Sequence, residues 1–238
     1  NSKPTAQFSV SDVCFPNAAN FTNQSTGAAT YSWDFADGNT ASQQSPVHTY
    51  AAAGSYNVTL IAASAQGCTD TISTPLNIFA KPAAAFTATT VCEGNTTSFT
   101  NNSSISAGTL TSYLWSFGDG NSDNQPNTSN TYSAAGSYST VLIVQSNNGC
   151  ADTATQQLVV NPKPLASFAA ANICYPTAVQ FTDQSTGSIT TYAWDFDDGG
   201  SDTQASPAHS YSAAATYNPV LIVSTAAACS DTFTAPVT

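Results

Sequence analysis

Apolar and polar residues alternate with a period of two along much of this chain. The longest alternating runs are Tyr56–Ala62, Tyr138–Val144 and Tyr217–Val223, and each predicts a long β-strand. Shorter strands are predicted in the first eighty residues at Gln7–Val10, Asn20–Asn23, Tyr31–Phe35, Pro46–Tyr50 and Thr69–Ile78, with equivalents further along. No stretch shows the 3.6-residue apolar period of a helix. The alternation therefore predicts an all-β protein.

The pattern occurs three times. Similar segments lie at Tyr31–Gly38, Tyr113–Gly120 and Tyr192–Gly199, and their tryptophans are 82 and 79 residues apart. That period is too long for a solenoid repeat and suits a small independent domain. A Lys-Pro pair lies at each seam, and proline cannot continue a sheet ladder. We predict three domains, 1–80, 81–162 and 163–238, joined semi-rigidly by short proline-containing linkers.

Each repeat contains about seven short strands separated by turn residues. Asp37-Gly38, Asp119-Gly120 and Asp198-Gly199 are Asp-Gly pairs, a strong hairpin signal. Seven strands in about 80 residues favour an antiparallel sandwich of Greek-key type.

Three successive motifs carry a family resemblance. In the first repeat they are Trp-Asp-Phe-x-Asp-Gly at Trp33–Gly38, Ser-Pro-x-His-Thr-Tyr at Ser45–Tyr50 and Gly-Ser-Tyr-x-Val-x-Leu at Gly54–Leu60. This combination resembles the PKD (polycystic-kidney-disease) domain. The second repeat departs at Ser116 and Asn130, and the third at Ala215. The resemblance implies three tandem immunoglobulin-like sandwiches in a rod, each with sheets A-B-E and C′-C-F-G. The paired cysteines are similar to those in surface proteins of gliding and related Bacteroidetes bacteria.

The aromatic residues of the motifs are interpreted as core. One tryptophan per repeat, flanked by alternating apolar residues, is typical of the buried strand-C tryptophan in immunoglobulin folds, whereas a sugar-stacking platform needs exposed rings. A tyrosine at the start of each long strand matches the tyrosine corner of such folds. These predicted core residues are Trp33, Trp115, Trp194, Tyr56, Tyr138 and Tyr217.

Charge excludes several function classes. The net charge is −11, and the only basic residues are Lys3, Lys81 and Lys163. Nucleic-acid binding requires a basic surface, which this chain lacks. No apolar run approaches the ~18 residues that a membrane helix requires. We expect neither nucleic-acid binding nor membrane insertion. Since the chain begins with a repeat already in register, we expect it to be part of something longer.

No catalytic constellation is predicted. Asp34 and Asp37 could act as a carboxylate pair, but their equivalents are not kept between repeats. His48 and His209 lack a nucleophile motif, and Asn130 takes their place in repeat 2, so we interpret them as locally hydrogen-bonded strand residues. We predict that this segment is not an enzyme and has no cofactor.

Calcium is a weak alternative. Asp195, Asp197 and Asp198 crowd one hairpin, and carboxylates bind Ca²⁺. The resemblance places calcium in some PKD domains on an acidic stretch before the tryptophan strand, and residues 25–30 contain no acid. Turn capping is the preferred interpretation.

Six cysteines, two per repeat, predict disulfides and an extracellular or cell-surface location; six buried thiols are the alternative. In the immunoglobulin bridge the second cysteine follows the corner tyrosine by two residues. Here Cys68, Cys150 and Cys229 each follow it by twelve, which places them beyond the far end of strand F. Cys14, Cys92 and Cys174 precede strand B, at the opposite end of the domain. The spacing favours bonds between neighbouring repeats, Cys14–Cys150 and Cys92–Cys229. Pairs within one repeat, Cys14–Cys68, Cys92–Cys150 and Cys174–Cys229, require an altered topology.

An Asp-Thr pair follows the second cysteine of each repeat. Asp-Thr before an apolar residue resembles the O-glycosylation acceptor of Bacteroidetes proteins, while a turn before a β-branched strand residue is the alternative. The candidate acceptors are Thr71, Thr153 and Thr232.

Two functions fit a string of similar domains. The first is a structural or adhesive stalk on a bacterial surface, with neighbouring repeats, a surface polysaccharide or another surface protein as partners. The second is an accessory spacer or polymer-binding region of a secreted protease or glycosidase. The sequence of the repeats themselves does not distinguish them.

Overall fold

A computed structural model describes residues 2–172 and 174–238 of the chain. Throughout this part the regular elements are β-strands, and no helix occurs. No segment of it therefore qualifies as a membrane-spanning helix. Alternate side chains of a strand point to opposite faces of its sheet, which is why the period-two pattern forms strands. The prediction of tandem immunoglobulin-like sandwiches is confirmed.

Repeat 1 is built from nine strands in two layers. They are β1 (Phe8–Ser9), β2 (Val13–Cys14), β3 (Ala19–Asn20), β4 (Thr22–Asn23), β5 (Thr30–Asp34), β6 (Thr40–Ala41), β7 (Val47–His48), β8 (Gly54–Ala63) and β9 (Thr69–Phe79). One layer has the order β2-β9-β8-β5-β6, and the other consists of the pairs β1-β4 and β3-β7.

Repeat 2 has the same two layers, but its smaller layer is one continuous sheet and not two separate strand pairs. Its strands are β10 (Phe86–Ala88), β11 (Val91–Cys92), β12 (Thr96–Asn101), β13 (Leu110–Ser116), β14 (Ser122–Asp123), β15 (Thr128–Thr131), β16 (Gly136–Ser146) and β17 (Ala151–Asn161). The sheets run β10-β12-β15 and β11-β17-β16-β13-β14. These orders correspond to the implied A-B-E and C′-C-F-G sheets, with one further strand beside G.

Repeat 3 keeps both layers but is shorter at one end. Its strands are β18 (Phe168–Ala170), β19 (Val179–Asp183), β20 (Ile189–Asp195), β21 (Ser201–Asp202), β22 (Ala208–His209), β23 (Val220–Thr225) and β24 (Ser230–Thr234). They pair as β18-β19-β22 and β21-β20-β23-β24.

The prediction of a long strand over Tyr217–Val223 is wrong in its first half. The strand β23 begins at Val220, directly after Pro219. Tyr217 and Val237 exchange both backbone hydrogen bonds, at 2.9 Å each. In an antiparallel ladder the next such pair lies two residues on, which places Pro219 opposite Ala235. Proline has no N–H to donate there, so the ladder is interrupted.

Each repeat has its own core between the two layers. The tryptophan of the central strand is 0%, 0% or 2% exposed in repeats 1, 2 and 3, and phenylalanines of both layers pack around it. In repeat 1, for example, Phe8 meets Trp33 edge-on with ring centroids 5.0 Å apart. The buried tryptophan and phenylalanine side chains together give each small domain a concentrated apolar core.

Candidate functional site

The tryptophan strands are the structural centre of the repeats and offer no sugar-binding face. Each indole is buried and donates its Nε1–H to a glutamine backbone carbonyl ten residues on, at 2.9 Å. The three corner tyrosines are half-buried and donate to the carbonyl oxygen four residues upstream. These bonds are Tyr56 to Ala52 (3.0 Å), Tyr138 to Ala134 (2.8 Å) and Tyr217 to Ala213 (3.2 Å).

The histidines form one local arrangement twice. His48 Nε2 lies 2.7 Å from Asp37 Oδ2, and its ring stacks on Phe35 with centroids 4.1 Å apart. The same contacts join His209 to Asp198 (2.8 Å) and Phe196 (4.1 Å). The imidazole thus fastens the strand before the corner tyrosine to the Asp-Gly turn.

Repeat 2 builds this arrangement without histidine. Asn130 Nδ2 donates to Asp119 Oδ2 at 2.7 Å, and Asn130 Oδ1 accepts from Asn121 at 3.2 Å. An asparagine amide replaces the histidine imidazole at this position of repeat 2. The position therefore requires a hydrogen-bond donor and not a proton acceptor. This supports the structural interpretation of His48 and His209.

The turn aspartates are held as anions. Burial raises the pKa of Asp37, but hydrogen bonds from His48 and Asn39 lower it more, and the net pKa lies below its ordinary value. In repeat 3 the hydrogen bond from His209 is the largest cause of a lowered pKa at Asp198. The two carboxylates therefore stabilise the turns in their charged form.

The acidic hairpin of repeat 3 directs its carboxylates to different donors. Asp195 Oδ1 accepts from the N–H of Asp197, and Asp198 Oδ1 accepts from that of Gly200. Asp197 Oδ2 accepts from the N–H of Asn218 at 2.8 Å. Among the described residues no group of three or more His, Cys, Asp or Glu side chains is arranged to hold a metal ion. The contacts correspond to turn capping.

The aspartate of each Asp-Thr pair fastens the first residues of its own repeat. Asp70 Oδ2 accepts from the N–H of Ala6 at 2.9 Å, and its other oxygen lies 2.6 Å from Lys3 Nζ. Asp152 makes the same contacts with Ala84 (2.8 Å) and Lys81 (2.6 Å).

Repeat 3 keeps the backbone contact of this arrangement. Asp231 accepts from the N–H of Ala166 at 2.9 Å. The neighbouring threonines are exposed in all three repeats: Thr71, Thr153 and Thr232. The side chains proposed as glycan acceptors are therefore accessible, and the aspartates before them have a structural role.

Two disulfides cross the junctions between repeats. The structure bonds Cys14 of repeat 1 to Cys150 of repeat 2, and Cys92 of repeat 2 to Cys229 of repeat 3. In both bonds the Cα atoms are 5.6 Å apart, within the usual range. These are the pairs that the twelve-residue spacing favours.

Pairs within one repeat are excluded by distance. Cys14 lies opposite Phe79, the last residue of β9, while Cys68 directly precedes its first residue, Thr69. An eleven-residue strand spans roughly 33 Å. The two cysteines of one repeat therefore lie at opposite ends of it.

Each junction between repeats has a further feature besides its disulfide. Between repeats 1 and 2 a cavity of about 220 Å³ is lined by Ser55, Asn77 and Phe79 on one side and by Gly108 and Asn148 on the other. At the second junction the carboxylate of Glu93 accepts from the N–H of Lys163 at 3.1 Å and from that of Ala135 at 2.8 Å. Glu93 thus links repeat 2 to the first residues of repeat 3.

The two remaining cysteines are free, one in repeat 1 and one in repeat 3. Cys68 is half-buried and Cys174 is exposed. Cys68 holds the position of Cys150 and Cys229, and Cys174 holds that of Cys14 and Cys92. Each is therefore the counterpart of a residue that is bonded across a junction elsewhere in the chain.

A family model supports this picture independently. The model described as PKD domain matches residues 1–78, 79–160 and 161–238. Together the three matches cover all 238 residues of the chain. This chain belongs to the PKD domain family.

Similar PKD domains occur in Vibrio proteins. The pre-pro-metalloprotease PrtV of Vibrio cholerae is 38% identical over 80 residues, which are 34% of this chain and 9% of that protein. The crystal structure of the PKD1 domain of Vibrio anguillarum Epp is 33% identical, covers 34% of this chain and 95% of that one, and has a TM-score of 0.33. The PKD1 domain of PrtV itself is 37% identical over 34% of this chain and 98% of its own, with a TM-score of 0.32. The chain thus spans a small part of the curated relative that it matches.

Sequence reasoning missed the strands that carry the first cysteines of PKD repeats 1 and 2. These strands, β2 and β11, pair parallel to the ends of β9 and β17, with Cys14 opposite Phe79 and Cys92 opposite Asn161. A strand of two residues is too short to show the alternation of apolar and polar side chains by which strands are recognised in a sequence. The repeated Val-Cys dipeptides Val13-Cys14 and Val91-Cys92 were the available signal.

Proposed function

We propose that this chain is a non-catalytic, semi-rigid segment of a long extracellular repeat protein that forms a stalk or fibre on a bacterial surface. The observation that carries the proposal is the covalent bond across each junction. A flexible string of domains needs no such bonds, whereas a load-bearing rod gains from them because they restrict rotation between neighbours. The structural, non-catalytic character of tandem PKD modules is consistent with this role.

Neighbouring repeats are the proposed partners of the two free cysteines. The two disulfides have sequence separations of 136 and 137 residues. In the proposed stalk, Cys68 bonds to a repeat that precedes this segment and Cys174 to one that follows it, with the same spacing. The disulfides also support an extracellular location, where oxidising conditions preserve them.

Small-angle X-ray scattering tests the stiffness of the segment. Three sandwiches of about 35–40 Å each predict a maximum dimension on the order of 110 Å for the oxidised protein. The double variant Cys14→Ser/Cys92→Ser keeps all three cores and loses both bonds, so we expect a broader distance distribution. A compact particle, or identical curves for both proteins, would contradict the stalk.

Surface recognition is the second element of the proposal. Only 7% of the residues are charged, so the exposed face consists mainly of hydroxyl and amide side chains. Such groups can exchange hydrogen bonds with a surface polysaccharide or another cell-surface protein. Binding of the purified protein to polysaccharide isolated from the native cell surface tests this, and binding no stronger than that of a single isolated repeat would count against it.

O-glycosylation of the exposed threonines would add to that surface. We propose Thr71, Thr153 and Thr232 as acceptors, since each is exposed next to an aspartate held by the first residues of its repeat. The intact mass of protein from its native host should exceed the sequence mass, and Thr→Val variants at these positions should remove the excess. A mass equal to that of the sequence rejects the modification.

An accessory role in a secreted hydrolase is the alternative. It is favoured by the 38% identity to a segment of the metalloprotease PrtV. The open reading frame around this segment distinguishes the two: a protease or glycosidase domain next to the repeats supports the accessory role, and many further PKD repeats support the stalk.

A further inference from the structure

The second cysteine of each repeat ends a turn of the same form. These three cysteine turns cover residues 64–68 between β8 and β9, 146–150 between β16 and β17, and 225–229 between β23 and β24. Each turn begins with a serine or threonine and ends with the cysteine four positions later. No position between them has the same residue in all three repeats. The hydroxyl group and the cysteine are therefore what the turns share.

Three hydrogen bonds hold each cysteine turn. The cysteine N–H donates to the side-chain oxygen of the first residue, Ser64, Ser146 or Thr225, at 3.2 Å in every repeat. The N–H of that first residue donates to the cysteine carbonyl at 2.9, 2.8 and 2.9 Å in repeats 1, 2 and 3. Its own carbonyl accepts from the residue before the cysteine at 3.0, 2.9 and 2.9 Å. The hydroxyl residue thus fixes the backbone of the cysteine on both sides.

The cysteine turn of repeat 1 has this geometry although its cysteine is free. Cys68 is half-buried, whereas Cys150 and Cys229 are 1% and 0% exposed in their junction disulfides. The bond from the cysteine N–H to the hydroxyl oxygen nevertheless has the same length in all three turns. The turn therefore places its cysteine without the help of a disulfide.

Repeat 3 keeps the turn against a backbone preference. The residue before the cysteine has a φ of +83° at Gly67 and +79° at Gly149, a conformation that glycine adopts readily. In repeat 3 that residue is Ala228, with a φ of +59°. A left-handed alanine persists only where its surroundings hold it, and the bonds between Thr225 and Cys229 are among those surroundings here.

We propose that Ser146 and Thr225 are positioning residues for the two junction disulfides. Each hydroxyl group holds the cysteine of its turn where the first cysteine of the preceding repeat reaches it. Without the hydroxyl group the cysteine N–H loses its acceptor, and the turn samples arrangements in which the two thiols do not meet. The entropy of restricting the turn is then lost when the disulfide forms, which lowers the effective concentration of one thiol at the other. This inference concerns the cross-link itself and does not depend on the stalk.

The reaction is thiol–disulfide exchange with a small disulfide such as oxidised glutathione. The thiolate of one cysteine displaces one glutathione thiolate, and the second cysteine then displaces the other from the mixed disulfide. In sum, two protein thiols and one oxidised glutathione give one protein disulfide and two reduced glutathione molecules. The equilibrium ratio of oxidised to reduced protein in a glutathione buffer therefore measures the effective concentration of the two cysteines.

The test measures this ratio for each disulfide separately. The full chain is equilibrated in glutathione buffers, free thiols are trapped by alkylation, and peptide mass spectrometry gives the oxidised fraction of each bond. Ser146→Ala and Thr225→Ala each remove one hydroxyl group. Ser64→Ala is the matched control, because it removes the same hydrogen bond from a turn whose cysteine is in neither disulfide. Fluorescence of the buried tryptophans verifies that every variant is folded.

We expect Ser146→Ala to lower the effective concentration for the disulfide between repeats 1 and 2 by about three- to tenfold, the equivalent of one net hydrogen bond. The disulfide between repeats 2 and 3 should be unchanged in this variant. Thr225→Ala should give the opposite pattern, and Ser64→Ala should change neither bond. Ser146→Thr should keep the parent value, because a threonine accepts the same bond in repeat 3.

A merely structural role of the hydroxyl groups predicts a different result. It would lower the stability of a repeat without distinguishing the two disulfides. Equal weakening of both bonds in Ser146→Ala, or the same value for the bond between repeats 1 and 2 in Ser146→Ala and Ser64→Ala, would overturn the proposal.

Discussion

At the scale of single residues, a side-chain hydrogen bond to the turn aspartate joins the Asp-Gly turn to the strand before the corner tyrosine in every repeat. The local role of His48 and His209 could be predicted, because repeat 2 replaces histidine with Asn130. Their partners could not, since Asp37 lies eleven residues away and several other polar residues lie nearer in sequence. Only the fold brings the imidazole and the carboxylate to 2.7 Å.

The lowered pKa of Asp37 makes the stability of repeat 1 sensitive to acid. A carboxyl group whose pKa is lower in the folded than in the unfolded state stabilises the protein above the unfolded value, near 3.9, and this contribution is lost as the pH falls through the folded value. In the variant Asp37→Asn the free energy of unfolding at pH 7 should fall by about 1.5–3 kcal/mol, which is the usual contribution of hydrogen bonds to a charged group.

Denaturant unfolding of the parent and the variant at pH 7 and at pH 2.5 measures this effect. The difference in free energy of unfolding between the parent and the variant should be smaller at pH 2.5 than at pH 7. Asp34→Asn is the matched control, because the asparagine oxygen can still accept from the N–H of Ala36. A difference for Asp37→Asn that stays constant across the pH range would contradict the assignment of charge to this turn.

At the scale of elements, the alternation of apolar residues located most strands to within one or two residues of their bounds. It failed where a single backbone group decides the outcome. Pro219 lies in a run whose apolar alternation continues through it, and the missing N–H of the proline, not the alternation, sets the start of the strand at Val220. The two-residue strands that carry Cys14 and Cys92 are likewise set by tertiary pairing with the end of the adjacent long strand.

Replacement of Pro219 should extend β23. In the variant Pro219→Thr the new N–H can donate to Ala235, and Thr140 is the natural residue at this position in repeat 2. One ladder bond contributes about 0.5–1.5 kcal/mol, and loss of proline costs about 0.4–1 kcal/mol through the unfolded state, so overall stability should change little.

Local hydrogen exchange is therefore the informative measurement. Amides from Tyr217 to Val220 should exchange more slowly in Pro219→Thr than in the parent. The reciprocal variant Thr140→Pro should speed exchange over the matching segment of repeat 2. If the amides near Tyr217 exchange unchanged in Pro219→Thr, something other than the missing donor ends the strand.

At the scale of the whole molecule, one spacing in the sequence favours the pairing of cysteines that the structure shows. Twelve residues between a corner tyrosine and the next cysteine place the thiol beyond strand F, close to the neighbouring repeat. The sequence alone left pairs within a repeat open, because it does not show the register of the first cysteine. The structure adds that register: Cys14 lies at the end of β9 and Cys68 precedes its start.

The two disulfides overlap along the chain, and the overlap limits how far it can be stretched. The first encloses residues 14–150 and the second residues 92–229. From Asn1 the shortest covalent path runs 13 residues to Cys14, crosses to Cys150, returns 58 residues to Cys92, crosses to Cys229 and ends nine residues later at Thr238. About 80 residues of backbone therefore carry the load instead of 237, so full extension falls from roughly 800 Å to roughly 280 Å.

Single-molecule pulling between the two termini tests this limit. The oxidised protein should stop extending at about one third of the length that it reaches after reduction, even when all three repeats are unfolded. The variant Cys92→Ser keeps only the bond between Cys14 and Cys150, whose path of about 100 residues should give an intermediate length near 350 Å. For the same reason, one backbone cut anywhere between Cys14 and Cys229 should leave the oxidised chain in one covalent piece, and reduction should separate it. Extension of the oxidised protein to the length of the reduced one would show that the junction bonds do not form this overlapping ladder.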